Sequence, residues 1–446
     1  MNTASDTPQT EATAASSPIG AFTPRGGFTY GLLGLPLAFV ALPLYVILPN
    51  HYAKEFGVPL ATLGAILLGA RLFDAVIDPF LGRLSDRLFA NSASAVLKLG
   101  ALAAVVLAIG FALLFFPLVK GPTALAAWAA VVLVVTYAAY SALSVSHQSW
   151  GAMLGGDEAQ RSRIVAWREG LGLVGVVLAS ITPVALGLPA TTALFLIALT
   201  GGWLAWTRAP RPVAAAREGQ GASHINHSSA PNMMWLPFEQ TAFRALLAVF
   251  LLNGIASAVP ATLVLFFIQD GLQAPQSMEP MFLAAYFVCA ALSIPLWLAI
   301  VKHLGLARSW LAGMFLAIAV FAWATQLGAG DTTAFLVVCA LSGVALGTDL
   351  ALPGAMLAGV IQNAGQSGRA EGAYFGWWNF ATKLNLALAA GLALPLLGVF
   401  GYAPGARDAG ALNALVIAYC VLPCVLKLAA AACLYLFIIK KNESSP

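Results

Sequence analysis

Long apolar runs alternate with short polar breaks along the whole chain. Runs long enough to span a bilayer, about 20 residues each, lie near 29–49, 59–82, 95–117, 122–148, 164–187, 190–207, 242–268, 279–300, 305–327, 333–358, 371–398 and 411–439. The pattern predicts twelve helices, six on each side of the longest polar break at 208–240. That break opens with Pro210-Arg211-Pro212 and continues into a Gly-, Ser- and His-containing stretch ending at Ser229. The predicted organisation is a tail at 1–27, a six-helix half at 28–207, a linker at 208–240, a second six-helix half at 241–439 and a short tail at 440–446. The first 24 residues are rich in Ser, Thr, Ala and Pro. They lack the basic-then-apolar order of a signal peptide and predict a disordered tail.

Composition excludes a soluble fold. The chain is 60% hydrophobic and 9% charged, against about 25% charged in soluble domains. The expected fold class is an all-α membrane protein. Five cysteines, Cys289, Cys339, Cys420, Cys424 and Cys433, lie in apolar stretches without metal-ligand spacing and read as small apolar fillers.

The basic residues set the predicted orientation. With the N-terminus inside, the inner segments carry sixteen Lys and Arg residues and the outer segments three, Lys54, Lys120 and Arg407. The remaining three, Arg71, Lys383 and Lys427, fall within spans. An odd number of spans would spoil this alternation, so both termini are expected in the cytoplasm. A short repeat supports two equivalent halves. Trp150-Gly-Ala-Met-Leu154 falls at the close of the fourth span and Pro353-Gly-Ala-Met-Leu357 near the close of the tenth. Parallel six-helix halves related by an axis along the membrane normal, with substrate bound between them near mid-depth, are the plan of major facilitator transporters.

Charge inside the second span is the most telling chemistry. Arg71-Leu-Phe-Asp74-Ala-Val-Ile-Asp78-Pro79 puts two acids one turn apart on one helical face, with Arg71 on the same face. Each charge at the bilayer centre costs at least about 2.5–3.5 kcal/mol on insertion scales, so the three predict a stripe facing a wet cavity or partners. Paired carboxylates suit a small hard cation, or one of them can hold a proton. An Arg71–Asp74 ion pair is the structural alternative, and it leaves Asp78 unexplained. Lys383 lies near mid-depth in the eleventh span, within Trp377-Trp378-Asn379-Phe380-Ala-Thr382-Lys383. It is a natural counter-ion for the acid pair; a static salt bridge between helices is the plainer reading. Asp349 is a third acid at mid-depth, open to substrate contact, proton relay or structural pairing. Lys427 reads as a structural, locally paired or snorkelling residue. His147 stands among Ser144, Ser146, Gln148 and Ser149, and lining a cavity or packing structurally are equal readings for it. Trp378 and Tyr374 could stack on a ligand, although packing between helices is the commoner use of such rings.

No Walker loop, dinucleotide fingerprint, nucleophile–base pair or metal constellation is present in the sequence. The chain is therefore not expected to be an enzyme, and transport would draw on an ion or solute gradient.

At these residues the chain resembles the glycoside–pentoside–hexuronide:cation symporter family, the melibiose-carrier branch of the major facilitator superfamily. The second span carries that family's pattern as Arg71, Asp74, Asp78, Pro79 and Gly82, followed by Asp86-Arg87. The loop after the fourth span carries Asp157, Arg161, Arg163 and Arg168, and the last two motifs are Asp349-Leu-Ala-Leu-Pro353 and Glu371-Gly-Ala-Tyr-Phe-Gly-Trp-Trp-Asn379 with Lys383. The resemblance implies a twelve-helix major facilitator fold and a Na+ or H+ site at Asp74, Asp78 and Ser144, supported by Lys383. It implies a substrate contact at Arg168. His147, Asp349, Trp378 and Asn379 are the further candidate substrate contacts, and Arg71, Asp86, Arg161 and Arg163 the candidates for structural or gating roles. No cofactor is implied beyond the coupling ion, and no metal beyond Na+.

The chain also departs from the family. The acid of the first span is absent from Tyr30-Gly-Leu-Leu-Gly34-Leu-Pro36, His147 stands where an acid or Asn is usual, and Asn91-Ser-Ala-Ser-Ala replaces a basic run. The expectation is a multi-pass inner-membrane symporter, working as a monomer in the lipid bilayer on a small solute and a monovalent cation, with no nucleic-acid partner. A sugar or glycoside is the default solute. A lysolipid or other amphipathic-solute carrier is the first alternative, and a non-transporting receptor or accessory protein the second.

Overall fold

The computed structural model describes residues 22–212, 231–402 and 405–443. Residues 1–21 of the expected N-terminal tail, 213–230 of the expected linker and 444–446 of the expected C-terminal tail lie outside the described residues. Among the described residues every regular element is helical. Eight helices are long and apolar enough to cross a membrane. Two of them cross twice. Glu158–Thr207 has 50 residues and Glu279–Ala324 has 46, about twice what one crossing needs. Each turns back at a glycine with positive φ, Gly187 at 78° and Gly305 at 75°, a conformation that a Cβ would strain.

That makes ten crossings, and Leu60–Asn91 and Glu371–Val399, which carry the buried charges, bring the described residues to twelve helices. These are α1 (Pro24–Tyr45), α2 (Leu60–Asn91), α3 (Ala93–Phe115), α4 (Pro122–Met153), α5 and α6 (the arms of Glu158–Thr207 before and after Gly187) and α7 (Thr241–Gly271). They continue as α8 and α9 (the arms of Glu279–Ala324 on either side of Gly305), α10 (Thr332–Asn363), α11 (Glu371–Val399) and α12 (Ala409–Ile439). The chain is thus an integral multi-pass protein of twelve helices. Exposed Leu68, Val105, Val131, Ile197, Leu292 and Val425 present the apolar outer surface that a bilayer, not water, would cover.

Each half has its own core. In the first half Phe111 packs on Phe195, and Trp206 lies between Trp150 and His147. In the second half, Phe243, Trp310 and Tyr374 pack toward one end, and Phe267, Phe335 and Tyr419 toward the other. The halves meet where Ala166 and Leu173 of α5 pack against Ala290 and Ile294 of α8, and where Val145 and Val165 join the cluster around Ala351 and Ala355 of α10.

Polar contacts across the halves run from mid-depth to the end of the bundle that carries Arg83, Arg161, Arg244 and Lys440, called the basic end below. There the Asp86 carboxylate accepts the backbone N–H groups of Gly372 at 2.6 Å and Ala373 at 2.9 Å, capping the start of α11. Glu158, at the start of α5, accepts the N–H of Leu306 at the start of α9, at 2.9 Å. Arg161 donates to Gln362 at the end of α10, at 2.6 Å. Carboxylates at helix N-termini satisfy donors that the helix leaves unpaired and suit the dipole there. The first half therefore supplies both acids, each to a helix start of the second, and the basic end is closed.

Candidate functional site: a shared cation position at the interface of the halves

The site is built from two helix stripes. On α2, Asp74, Asp78, Gly82 and Asp86 recur every four residues and form one inclined row. On α11, Gly372 and Gly376 are four apart and Lys383 is two turns further along. The rows meet at backbone distance. A Cβ on Gly82 would collide with the Gly372 carbonyl, and one on Gly376 would stand 2.6 Å from the Asp78 carbonyl oxygen. The three glycines thus bring α2 and α11 together more closely than any side chain would permit. Pro79 lacks the N–H that would bond the Ala75 carbonyl, which loosens the ladder of α2 beside the acids.

That approach delivers Lys383 to both acids. Its Nζ stands 2.8 Å from Asp74 Oδ1 and 2.8 Å from Asp78 Oδ2. It donates to Asp78 Oδ1 at 2.9 Å, to Ser141 Oγ of α4 at 2.8 Å and to the Asp74 carbonyl at 3.1 Å. Ser141 in turn donates to Asp74 Oδ1 at 2.6 Å. Asp74 and Asp78 are 1% and 0% exposed, so the charges face each other without bulk water. Two ionised carboxylates and one ammonium leave the cluster one positive charge short of neutrality. Five oxygens around one monovalent cation, here a tethered one, form a coordination shell.

The other residues singled out in the sequence fall elsewhere. Arg71 does not pair with Asp74; its guanidinium lies over the Tyr45 ring, 4.4 Å from the centroid, a cation–π contact. Ser144 accepts from Gln148 at 2.9 Å, and the hydroxyl that reaches the acids is Ser141. His147 is fully buried between α1 and α4. Its Nε2 is 2.8 Å from the Tyr30 carbonyl, and the Tyr30 hydroxyl donates to the His147 carbonyl at 3.2 Å. Arg168 donates twice to Glu169 Oε1, at 2.9 and 2.6 Å. Trp378 stacks on Phe250 with centroids 3.8 Å apart; Asn379 is half-buried beside it. Arg163 donates to the Ala159 carbonyl at 3.3 Å and is exposed.

Asp349 lies in a second polar cluster, inside the second half. It accepts from Asn253 Nδ2 at 2.9 Å, Trp310 Nε1 at 2.8 Å, Ser257 Oγ at 3.1 Å and Lys427 Nζ at 3.1 Å. Lys427 also donates to Asn253 Oδ1 at 2.7 Å. This cluster closes one end of a cavity of about 180 Å³ whose walls include Pro260, Phe282 and Phe321.

Sequence reasoning overlooked Ser141, the glycine row and the Glu158 cap. The Gly372-x-x-x-Gly376 spacing was a readable signal for close helix approach. Nothing in the sequence distinguished Ser141 from Ser144, because both lie on the same apolar helix one turn apart.

Comparison with known proteins agrees with this architecture. The family model described as MFS/sugar transport protein matches residues 26–441. Among curated proteins, none matches this sequence. Several solved structures share the fold. A bacterial homologue of the iron transporter ferroportin, in its outward-facing state, superposes with a TM-score of 0.69 at 15% identity, over 92% of this chain and 99% of that one. A major facilitator superfamily transporter in the outward conformation gives 0.64 at 14% identity, over 92% and 99%. The E. coli fucose:proton symporter gives 0.62 at 12% identity, over 91% and 97%. At these identities the likeness concerns fold alone.

Proposed function

Since the chain belongs to the MFS/sugar transport protein family, we propose that it is a secondary transporter coupling a monovalent cation, Na+ or H+, to symport of a small solute by alternating access. The observation that carries this reading is the Lys383 ammonium held by Asp74, Asp78 and Ser141. The cluster is one positive charge short, which fits a monovalent ion or a proton better than a divalent one. A cation arriving from the open side competes with the ammonium for the carboxylates. Lys383 belongs to α11 and the acids to α2, so that competition changes how firmly the two halves hold together. The intramembrane charges also argue against a non-transporting receptor, which has no use for so costly a cluster.

In this reading the basic end faces the cytoplasm, in line with the Lys and Arg bias, and it is the cytoplasmic end that is closed. The membrane would be a bacterial inner membrane, with the protein acting as a monomer. A sugar is the default solute, on the family's description and the melibiose-carrier motifs. One observation favours the amphipathic alternative. The first helix has no acid, and Tyr30 and His147 satisfy each other rather than presenting polar groups to a solute.

Uptake into proteoliposomes under a Na+ or a pH gradient tests the reading. Wild-type protein is expected to accumulate its solute only with one of the gradients, and Asp78→Asn to lose accumulation. Undiminished accumulation by the variant would overturn the cation site. Competition by sugars against lysolipids assigns the solute class.

A further inference from the structure

A second site lies at the basic end, away from the cation position. A cavity of about 760 Å³ opens there between the start of α5, the starts of α7 and α9, and the ends of α10 and α12. Its volume falls within the range of ligand pockets, about 300–1,000 Å³. Arg161, Arg244, Lys440 and Lys441 line it, against one carboxylate, Glu158. That carboxylate is engaged by the Leu306 N–H. Arg161 is placed for a ligand. Its guanidinium packs on Gly359, 3.0 Å from where a Cβ would stand, and its buried Nε has no hydrogen-bond partner. The remaining wall is apolar, with Met356 and Val360 on α10 and the exposed Leu436 and Phe437 on α12.

Cations at helix ends beside an apolar wall, at the level where a bilayer meets water, match an amphiphile with an anionic head. The basic residues match its phosphate, and the apolar wall matches the first methylenes of its chains. Both halves line the cavity, Glu158 and Arg161 from the first and the other residues named from the second.

We propose that this cavity binds the headgroup of an anionic glycerophospholipid, and that the bound headgroup bridges the two halves and favours the closed basic end. The conformational consequence rests on the alternating-access reading above; the binding does not.

The test uses the purified full chain and measures lipid retention and thermal unfolding, neither of which requires transport. Phosphatidylglycerol, phosphatidylcholine and inorganic phosphate are added separately. Phosphatidylglycerol is expected to be retained in native mass spectrometry and to raise the unfolding temperature, while phosphatidylcholine does neither. The double variant Arg244→Gln with Lys440→Gln is expected to retain phosphatidylglycerol about tenfold more weakly and to unfold like wild type in phosphatidylcholine. If that variant does not fold, Lys440→Gln with Lys441→Gln, at the end of the last helix, serves instead. Equal retention of the two lipids, or undiminished retention by the variants, would overturn the proposal. Displacement of phosphatidylglycerol by inorganic phosphate would replace the lipid assignment with a site for free phosphate. Lipid binding without any transport activity would leave this site standing while removing the symport reading.

Discussion

Two lysine–aspartate clusters lie buried in this protein, and they are built to opposite ends. In the cluster between the halves, one ammonium serves two carboxylates from a different half, and the set is short of one positive charge. In the cluster within the second half, one carboxylate receives four donors, Lys427 among them, and charge is balanced. A carboxylate has about four acceptor positions, so Asp349 is saturated while Asp74 and Asp78 share a donor. The balanced cluster joins α7, α9, α10 and α12 inside one half and has no reason to open. The unbalanced one joins α2, α4 and α11 across the interface that the proposed alternating access would break. In the proposed function, similar residue types thus make a staple in one place and a latch in the other.

The contrast can be broken by mutation. The largest effect on stability is expected at the staple. Asp349→Ala leaves the buried Lys427 ammonium with Asn253 but without its carboxylate, and breaking a buried ion pair costs about 3–5 kcal/mol. Thermal unfolding should fall sharply, and the double change Asp349→Leu with Lys427→Met should recover much of it. If Asp349→Ala unfolds like wild type, Asp349 is not the staple described. At the latch, Gly376→Leu forces α11 away from Asp78 and Pro79. It should shift the population toward an opened basic end, read as a longer distance between spin labels placed there on α2 and α11. Unchanged distances would mean that the close approach of the helices does not hold that end shut. The smallest effect is expected for Arg71→Lys, which weakens a cation–π contact with Tyr45 worth about 0.5–1 kcal/mol. Cation affinity should then change only a few-fold. A loss as large as that of Asp78→Asn would place Arg71 among the groups holding the ion.

Much of this architecture could be read from the chain. Apolar runs of fixed length gave the twelve helices because a bilayer leaves the backbone no other single-chain helical solution. The acids of α2 were legible because residues four apart share a helix face, and the depth of Lys383 followed from its place well inside the apolar run at 371–398. What could not be read was set by contacts between distant segments. Ser141 reaches Asp74 and Ser144 does not because of the rotation of α4, which depends on its packing against α2. The saturation of Asp349 needs Asn253, Ser257 and Trp310 from α7 and α9, and no spacing in the sequence relates them. His147 looked like a polar residue among polar neighbours, yet the ring is enclosed by Tyr30 and Trp206.

The central claim is that a monovalent cation and the Lys383 ammonium compete for one pair of carboxylates. Cation titration of purified Lys383→Met beside wild type, paired with gradient-driven uptake, tests it most directly. Removing the ammonium takes the cluster from one to two excess negative charges and removes the competitor. The variant should therefore bind the cation more tightly, by about tenfold or more, and lose accumulation against a gradient. Wild-type cation affinity together with intact accumulation would contradict the account.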